Sequence, residues 1–153
     1  MPLLHLSISA NNPEAVAGFL AQVMGGAVMP FPPFPDCWIA FAAEDDGTAI
    51  EVYPPTHVLA AGPDQLSCKI KAREMDPTFV HVAFCSVLPR DELLEAADRR
   101  GWTARVCDRG PFQCVEVWLE NRLLVELLDG PMQTDYRQGM TVSNWAAMFG
   151  LSR

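Results

Sequence analysis

Four residues of the chain, His5, Glu51, His81 and Glu126, have the types and spacing of a divalent-metal site. Glu51 follows His5 by 46 residues, and Glu126 follows His81 by 45 residues. Two imidazoles and two carboxylates suit Zn²⁺, Ni²⁺, Co²⁺, Mn²⁺ or Fe²⁺. A divalent ion held by them would polarise a substrate carbonyl, and a carboxylate beside it could accept a proton. The pattern therefore predicts a divalent metal ion as cofactor and leaves its identity open.

Each of these residues also has a simpler explanation when it is taken alone. A glutamate in a strand usually lies on a solvated face, and a histidine in a strand is usually a hydrogen-bonded structural residue. Glu126 lies inside the apolar run 123–128, where a carboxylate is costly to bury unless something pairs with it. The matching spacing of the two His–Glu pairs favours the metal site over these alternatives.

The positions that surround the four residues form an internal repeat. Three landmarks recur at a constant offset of 76 residues: His5 and His81, Pro13 and Pro89, Gly25 and Gly101. In each half a short strand with a central histidine (3–9, 79–85) is followed by a helix (12–24, 89–100) and three strand-like runs. This order predicts an α+β protein built from two βαβββ units.

The repeat also predicts the organisation of the chain. We expect one domain over 1–153, with the first unit at 1–54, a linker at 55–78, the second unit at 79–129 and a C-terminal tail at 130–153. Because side chains alternate along a strand, each histidine lies on the face opposite to the bulky aliphatic side chains of its strand. The small residues on the histidine face are typical of a cavity lining.

Composition excludes several classes of partner. The net charge is −8 and no basic stripe is present, so we expect no nucleic-acid partner. No apolar run is long enough to span a membrane, and the N-terminus lacks the features of a signal peptide. Five scattered cysteines without a CxxC pair are typical of reduced thiols. We therefore expect a cytoplasmic protein that binds a small-molecule substrate.

On these features the chain resembles the vicinal-oxygen-chelate superfamily, which includes glyoxalase I, bleomycin-resistance-like proteins and extradiol dioxygenases. The resemblance covers about residues 2–129 and rests on the paired βαβββ order, the stretch "AGFLAQVMGG" and the His, Glu, His, Glu series. It implies a cup-shaped, eight-stranded mixed sheet with helices on the convex face and a divalent metal on the concave face. The ligand order is similar to that of glyoxalase I, which implies Glu126 as the catalytic base and Glu51 as its counterpart.

The resemblance implies a metal-dependent lyase or isomerase of the glyoxalase type, acting on a small 2-oxo or α-hydroxycarbonyl compound. The alternative is a metal-free small-molecule-binding protein of the bleomycin-resistance-like class, and a degenerate member without turnover is a third reading. The stretch "LENR" (119–122) departs from the Asp-Pro-x-Gly turn that many members carry before the last glutamate. The substrate stays open, and so does the question of whether the ligands meet within one chain or across a dimer.

Two further segments lie outside the repeat. "PFPPFP" (30–35) is either a binding loop or lid, or a stiff apolar connection packed on the core or a partner. The tail predicts a short helix with Trp145, Met148 and Phe149 on one side. This apolar surface, and the pairing of modules across subunits that is common in the superfamily, predict a homodimer.

Overall fold

A computed structural model describes residues 5–44, 46–61, 66–71 and 80–151. The chain divides into two compact units, Met1–Pro77 and Thr78–Arg153. Each contains the order strand, helix, strand, strand, strand, so the predicted α+β class with two βαβββ units is confirmed. The predicted strands 3–9 and 79–85 both begin at residues that lie outside the described ranges.

The first unit has a four-stranded mixed sheet with the order β1-β4-β3-β2. Its elements are β1 (His5–Ser9), α1 (Pro13–Met24), β2 (Val28–Pro30), β3 (Trp38–Phe41) and β4 (Ala49–Tyr53). Strand β1 runs parallel to β4, whereas β3 is antiparallel to both of its neighbours. The parallel pair brings the strand of His5 directly beside the strand of Glu51.

Helix α1 begins and ends at the residues that the sequence indicates. The side chain of Asn12 accepts a hydrogen bond from the backbone N–H of Ala15, and Gly25 ends the helix in the left-handed conformation. The second glycine of the pair is required by packing, because a Cβ on Gly26 would lie 2.0 Å from the carbonyl oxygen of Phe41. This close approach explains the double glycine of "AGFLAQVMGG".

The segment 55–78, which sequence analysis treats as a linker, contains secondary structure. Strands β5 (His57–Ala61) and β6 (Leu66–Ile70) pair antiparallel as a two-stranded sheet. Residues 62–65 and 72–78 of the predicted linker lie outside the described ranges.

The second unit repeats the arrangement of the first, with the strand order β7-β10-β9-β8. Its elements are β7 (Val82–Cys85), α2 (Arg90–Asp98), β8 (Ala104–Asp108), β9 (Gln113–Leu119) and β10 (Leu123–Leu128). Strand β7 is parallel to β10. The "LENR" stretch forms a tight β9–β10 turn, in which Glu120 and Asn121 have φ values of 51° and 54°. The register leaves three residues, 120–122, in this connection, and β9 and β10 pair as a hairpin despite the departure from the turn that the resemblance implies.

The tail contains two helices, α3 (Gly130–Gly139) and α4 (Val142–Phe149). Asp129 caps α3 and Thr141 caps α4, each by accepting a hydrogen bond from a backbone N–H three residues on. Sequence analysis predicts the second of these helices and misses the first, whose residues are mostly polar. Across the described ranges, no helix is long and apolar enough to cross a membrane.

Candidate functional site

The two His–Glu pairs have the same register in the two sheets. Glu51 lies opposite Ser7, two residues after His5 on β1. Glu126 lies opposite Ala83, two residues after His81, on the paired strands β10 and β7. Because side chains alternate along a strand, this register places Glu51 on the same face as His5, one diagonal step away. His81 lies immediately before β7. Both histidines are exposed.

In the first unit, neutral hydroxyl groups orient the Glu51 carboxylate. Ser7 Oγ and Tyr53 OH both donate to Glu51 Oε2, at 2.7 and 2.8 Å. The other oxygen, Oε1, accepts no hydrogen bond from any described residue. The carboxylate is therefore held by one oxygen and presents the second for another interaction.

The proline-rich loop 30–35 packs against this arrangement. The ring of Tyr53 lies 6.0 Å from the ring of Phe31 and 5.8 Å from the ring of Phe34, measured between centroids. We call these three side chains the aromatic cluster. Sequence analysis left open whether the loop is a binding loop or lid, or a stiff connection packed on the core or a partner. These contacts show that it packs on its own unit.

In the second unit, arginine orients the Glu126 carboxylate. Arg109 donates to Glu126 Oε1 from Nε at 2.9 Å and from Nη2 at 2.7 Å. The same Nη2 also donates to Glu116, and Arg105 Nε donates to the other oxygen of Glu116 at 2.7 Å. We call these four residues the ion-pair network. Glu126 can therefore be buried within the apolar run 123–128, because its carboxylate has a cationic partner in Arg109.

The register explains why the ion-pair network contains two acids. Glu116 lies directly opposite Glu126 on the neighbouring strand β9, and both are buried, with 4% and 7% exposure. Two carboxylates side by side repel each other, and Arg109 reaches both of them. The hairpin after β8 places Arg109 there: its N–H donates to the carbonyl of Phe112, and Gly110 between them has a φ of 86°.

The ion-pair network shifts the pKa values of Arg109 and Glu116. Hydrogen bonds to Glu126 and Glu116 raise the pKa of Arg109 above its usual value, so this side chain is always charged. Burial alone would raise the pKa of Glu116, but its hydrogen bonds to Arg109 and Arg105 outweigh burial and lower that pKa. Burial also raises the pKa of the neighbouring Cys114 thiol to about 12, so the thiol is protonated at neutral pH.

The donor chemistry of each unit fits a divalent cation. Each unit supplies one exposed imidazole and one carboxylate that keeps an oxygen free of hydrogen bonds from described residues, namely Oε1 of Glu51 and Oε2 of Glu126. Metal-ligating carboxylates commonly accept a hydrogen bond on the oxygen that faces away from the ion. No cluster of three or more His, Cys, Asp or Glu side chains suited to a metal ion occurs within residues 5–44, 46–61, 66–71 and 80–151.

Sequence reasoning missed the residues that hold the two acids. It gave no role to Tyr53, Arg105, Arg109 or Glu116. A usable signal was present, because Glu116 and Glu126 both lie in apolar strands and a buried carboxylate requires a cationic or hydrogen-bonding partner.

Comparison with known proteins gives matches at the level of structure. No protein-family model matches the chain, and no curated protein sequence matches it significantly. Solved structures match most of its length. The fosfomycin resistance protein FosX from Listeria monocytogenes, crystallised with Mn(II) and sulfate, has a TM-score of 0.55 and 15% identity, covering 90% of this chain and 96% of that one.

Two further solved structures match to a similar degree. FosX from Mesorhizobium loti has a TM-score of 0.54 and 12% identity, covering 87% of this chain and 95% of that one. A glyoxalase family protein from Bacillus anthracis has a TM-score of 0.54 and 14% identity, covering 84% and 94%. The chain therefore has the fold of these fosfomycin resistance and glyoxalase family proteins.

Proposed function

We propose that the protein is a metal-dependent lyase or isomerase of the glyoxalase type, acting on a small 2-oxo or α-hydroxycarbonyl compound. His5, Glu51, His81 and Glu126 would be the ligands of one divalent cation. The observation that carries the proposal is the register that the two units share: each glutamate lies opposite the residue two positions after its histidine, on a parallel neighbouring strand. The Mn(II) bound to the similar FosX protein supports a divalent ion in this fold.

In this proposal the metal ligands and their hydrogen-bonding partners have separate roles in the reaction. When bound, the divalent ion would polarise a substrate oxygen as a Lewis acid. Ser7 and Tyr53 would keep Glu51 Oε1 directed away from the hydroxyl groups. Glu126 Oε2 would move off the metal to accept the substrate proton as general base, while Arg109 retains Oε1. Glu51 is the second candidate for the base. Its carboxylate accepts hydrogen bonds from the neutral hydroxyl groups of Ser7 and Tyr53, whereas Glu126 is paired with a guanidinium.

One observation favours the alternative, a metal-free small-molecule-binding protein. The Glu126 carboxylate already has a cationic partner in Arg109, and a paired carboxylate needs no metal to be stable in a buried position. Under this alternative the ion-pair network is a structural feature of the second sheet, and the histidines have no metal to bind.

Metal analysis decides between the two candidates. Protein purified without a chelator or a nickel column should contain about one divalent ion per chain, and Glu51→Ala or His81→Ala should abolish stoichiometric binding. The chain offers a matched control, because His57 is its only other histidine and His57→Ala should retain the metal. Full metal content in both Glu51→Ala and His81→Ala would reject the ligand assignment.

We also propose that the protein is a homodimer in which α4 contributes to the interface. Trp145, Met148 and Phe149 on this helix are each about half exposed, and residues 139–151 carry no charge. In a chain of net charge −8, an uncharged apolar surface is where two copies meet with least repulsion. Light scattering should give the mass of a dimer for the wild type and of a monomer for Met148→Glu. A monomeric wild type would contradict the proposal.

A further inference from the structure

We infer that Tyr53 is a positioning residue for Glu51, and that the loop 30–35 fixes the phenol ring that does this. The inference rests on the proposed function, because it assigns Glu51 to the metal. It extends that function by connecting the proline-rich segment, which otherwise has no role, to the acid.

The hydrogen bond between the two side chains follows from the geometry of one strand. Tyr53 and Glu51 lie two residues apart on β4, so their side chains project from the same face. The Tyr53 hydroxyl donates to Glu51 Oε2 at 2.8 Å, and the residue is only 9% exposed. Ser7, from the neighbouring strand β1, donates to the same oxygen. Two donors on one oxygen fix the rotation of the carboxylate and leave Oε1 as the oxygen for a ligand.

The loop is built to hold the ring of Tyr53 in place. The N–H of Phe31 donates to the carbonyl of Cys37, two residues beyond the loop, at 2.8 Å. The prolines of "PFPPFP" restrict the backbone between them. Phe31 and Phe34 pack against the Tyr53 ring from this stiff loop. The phenol therefore has little freedom to rotate away from Glu51.

A merely structural tyrosine and a positioning tyrosine differ in what they affect. If Tyr53 only fills space, removing its hydroxyl changes stability and leaves metal affinity unchanged. If it orients a ligand, the same change lowers metal affinity, as loss of an outer hydrogen-bond partner typically does by about 10–100-fold. Tyr53→Phe separates the two roles because it keeps the ring and the aromatic packing.

The hydrogen bond itself can be measured without metal. The chain has two tyrosines, Tyr53 and Tyr136, so labelling with ¹³Cζ-tyrosine gives two NMR resonances, which Tyr136→Phe assigns. Glu51→Ala should shift the Tyr53 resonance and leave that of Tyr136 in place. A Tyr53 resonance that does not move would overturn the inference, because the hydroxyl would then not contact Glu51 in solution.

Calorimetric titration of the purified protein with Mn²⁺ then tests the effect on the ligand. Tyr53→Phe should weaken Mn²⁺ binding about tenfold, since Ser7 still holds the same oxygen, and the matched control Tyr136→Phe should bind as the wild type does. Wild-type affinity in Tyr53→Phe together with loss of binding in Glu51→Ala would overturn the inference and leave the proposed function standing. Full affinity in Glu51→Ala would overturn the inference, and full affinity in both Glu51→Ala and His81→Ala would reject the proposed ligand set as well.

The contribution of the loop is tested by combining two substitutions. Phe34→Ala should weaken Mn²⁺ binding in the wild type, because the Tyr53 ring loses one side of its packing. It should have no further effect in the Tyr53→Phe background, where the hydroxyl that the loop positions is absent. Equal losses in both backgrounds would show that Phe34 acts independently of Tyr53 and would overturn the role assigned to the loop.

Discussion

Glu126→Gln should lower turnover by about 10²–10⁴, the usual contribution of a general base. Glutamine is nearly isosteric with glutamate and can still offer its carbonyl oxygen to a metal or to Arg109, so the fold should persist. It cannot accept the substrate proton. Metal affinity should fall less than turnover, because three unchanged ligands and one weakened oxygen remain. The measurement is the conversion of a 2-oxoaldehyde–thiol adduct with added Ni²⁺, Co²⁺ or Zn²⁺, alongside metal titration of the same preparations.

A matched control for this prediction lies on the neighbouring strand. Glu116 is buried, is directly opposite Glu126 and shares the hydrogen bond from Arg109, but it is not in the proposed ligand set. Glu116→Gln should therefore keep turnover within a few-fold of the wild type. Undiminished activity in Glu126→Gln would reject the base role, and an equal loss in Glu116→Gln would assign the effect to the ion-pair network instead. If Glu51→Gln abolishes turnover while Glu126→Gln and Glu116→Gln retain it, Glu51 is the base.

Arg109→Ala should lower the free energy of unfolding by about 2–3 kcal/mol, because it leaves two buried carboxylates facing each other without their shared cation. The expected value lies below the loss of about 3–5 kcal/mol that is typical of a broken buried ion pair, since the Arg109 side chain is 34% exposed and water screens part of the loss. Urea denaturation followed by circular dichroism measures the change. Arg99 provides the control: its ion pair with Glu95 is on the surface, so Arg99→Ala should cost under about 1 kcal/mol.

The same substitution should change how stability depends on pH. In the folded protein the pKa of Glu116 lies below its ordinary value of 4.5. Its contribution to stability is therefore present above about pH 4.5 and is lost as the pH falls through the lower folded-state value. Without Arg109 the pKa of Glu116 should rise, so the loss of stability in acid should be shallower than in the wild type. If the free energy of unfolding falls equally steeply in acid for the wild type and for Arg109→Ala, Arg109 does not stabilise the ionised form of Glu116.

The sequence by itself determined the class of fold and the repeat. Periodicity places a strand, a helix and three strands in each half, and capping residues such as Asn12 and Gly25 mark where α1 begins and ends. These signals are local, because they depend on backbone preferences and on which side of an element is apolar. The same signals miss α3, whose residues are mostly polar, and the hairpin β5–β6, which lies in a segment rich in turn residues.

Alternation within each strand predicts that each histidine and each glutamate lies opposite the bulky aliphatic side chains of its own strand, but only the register of the paired strands decides which of them share a face. Only the tertiary structure decided what holds each acid. Arg109 lies 17 residues before Glu126, and the contact depends on the turn after β8 and on the register of three strands. Tyr53 meets Phe31 and Phe34 through a loop whose path no periodicity describes. Such contacts join residues that are distant in sequence, and their geometry is set by strand register and turn conformation, which local patterns do not specify.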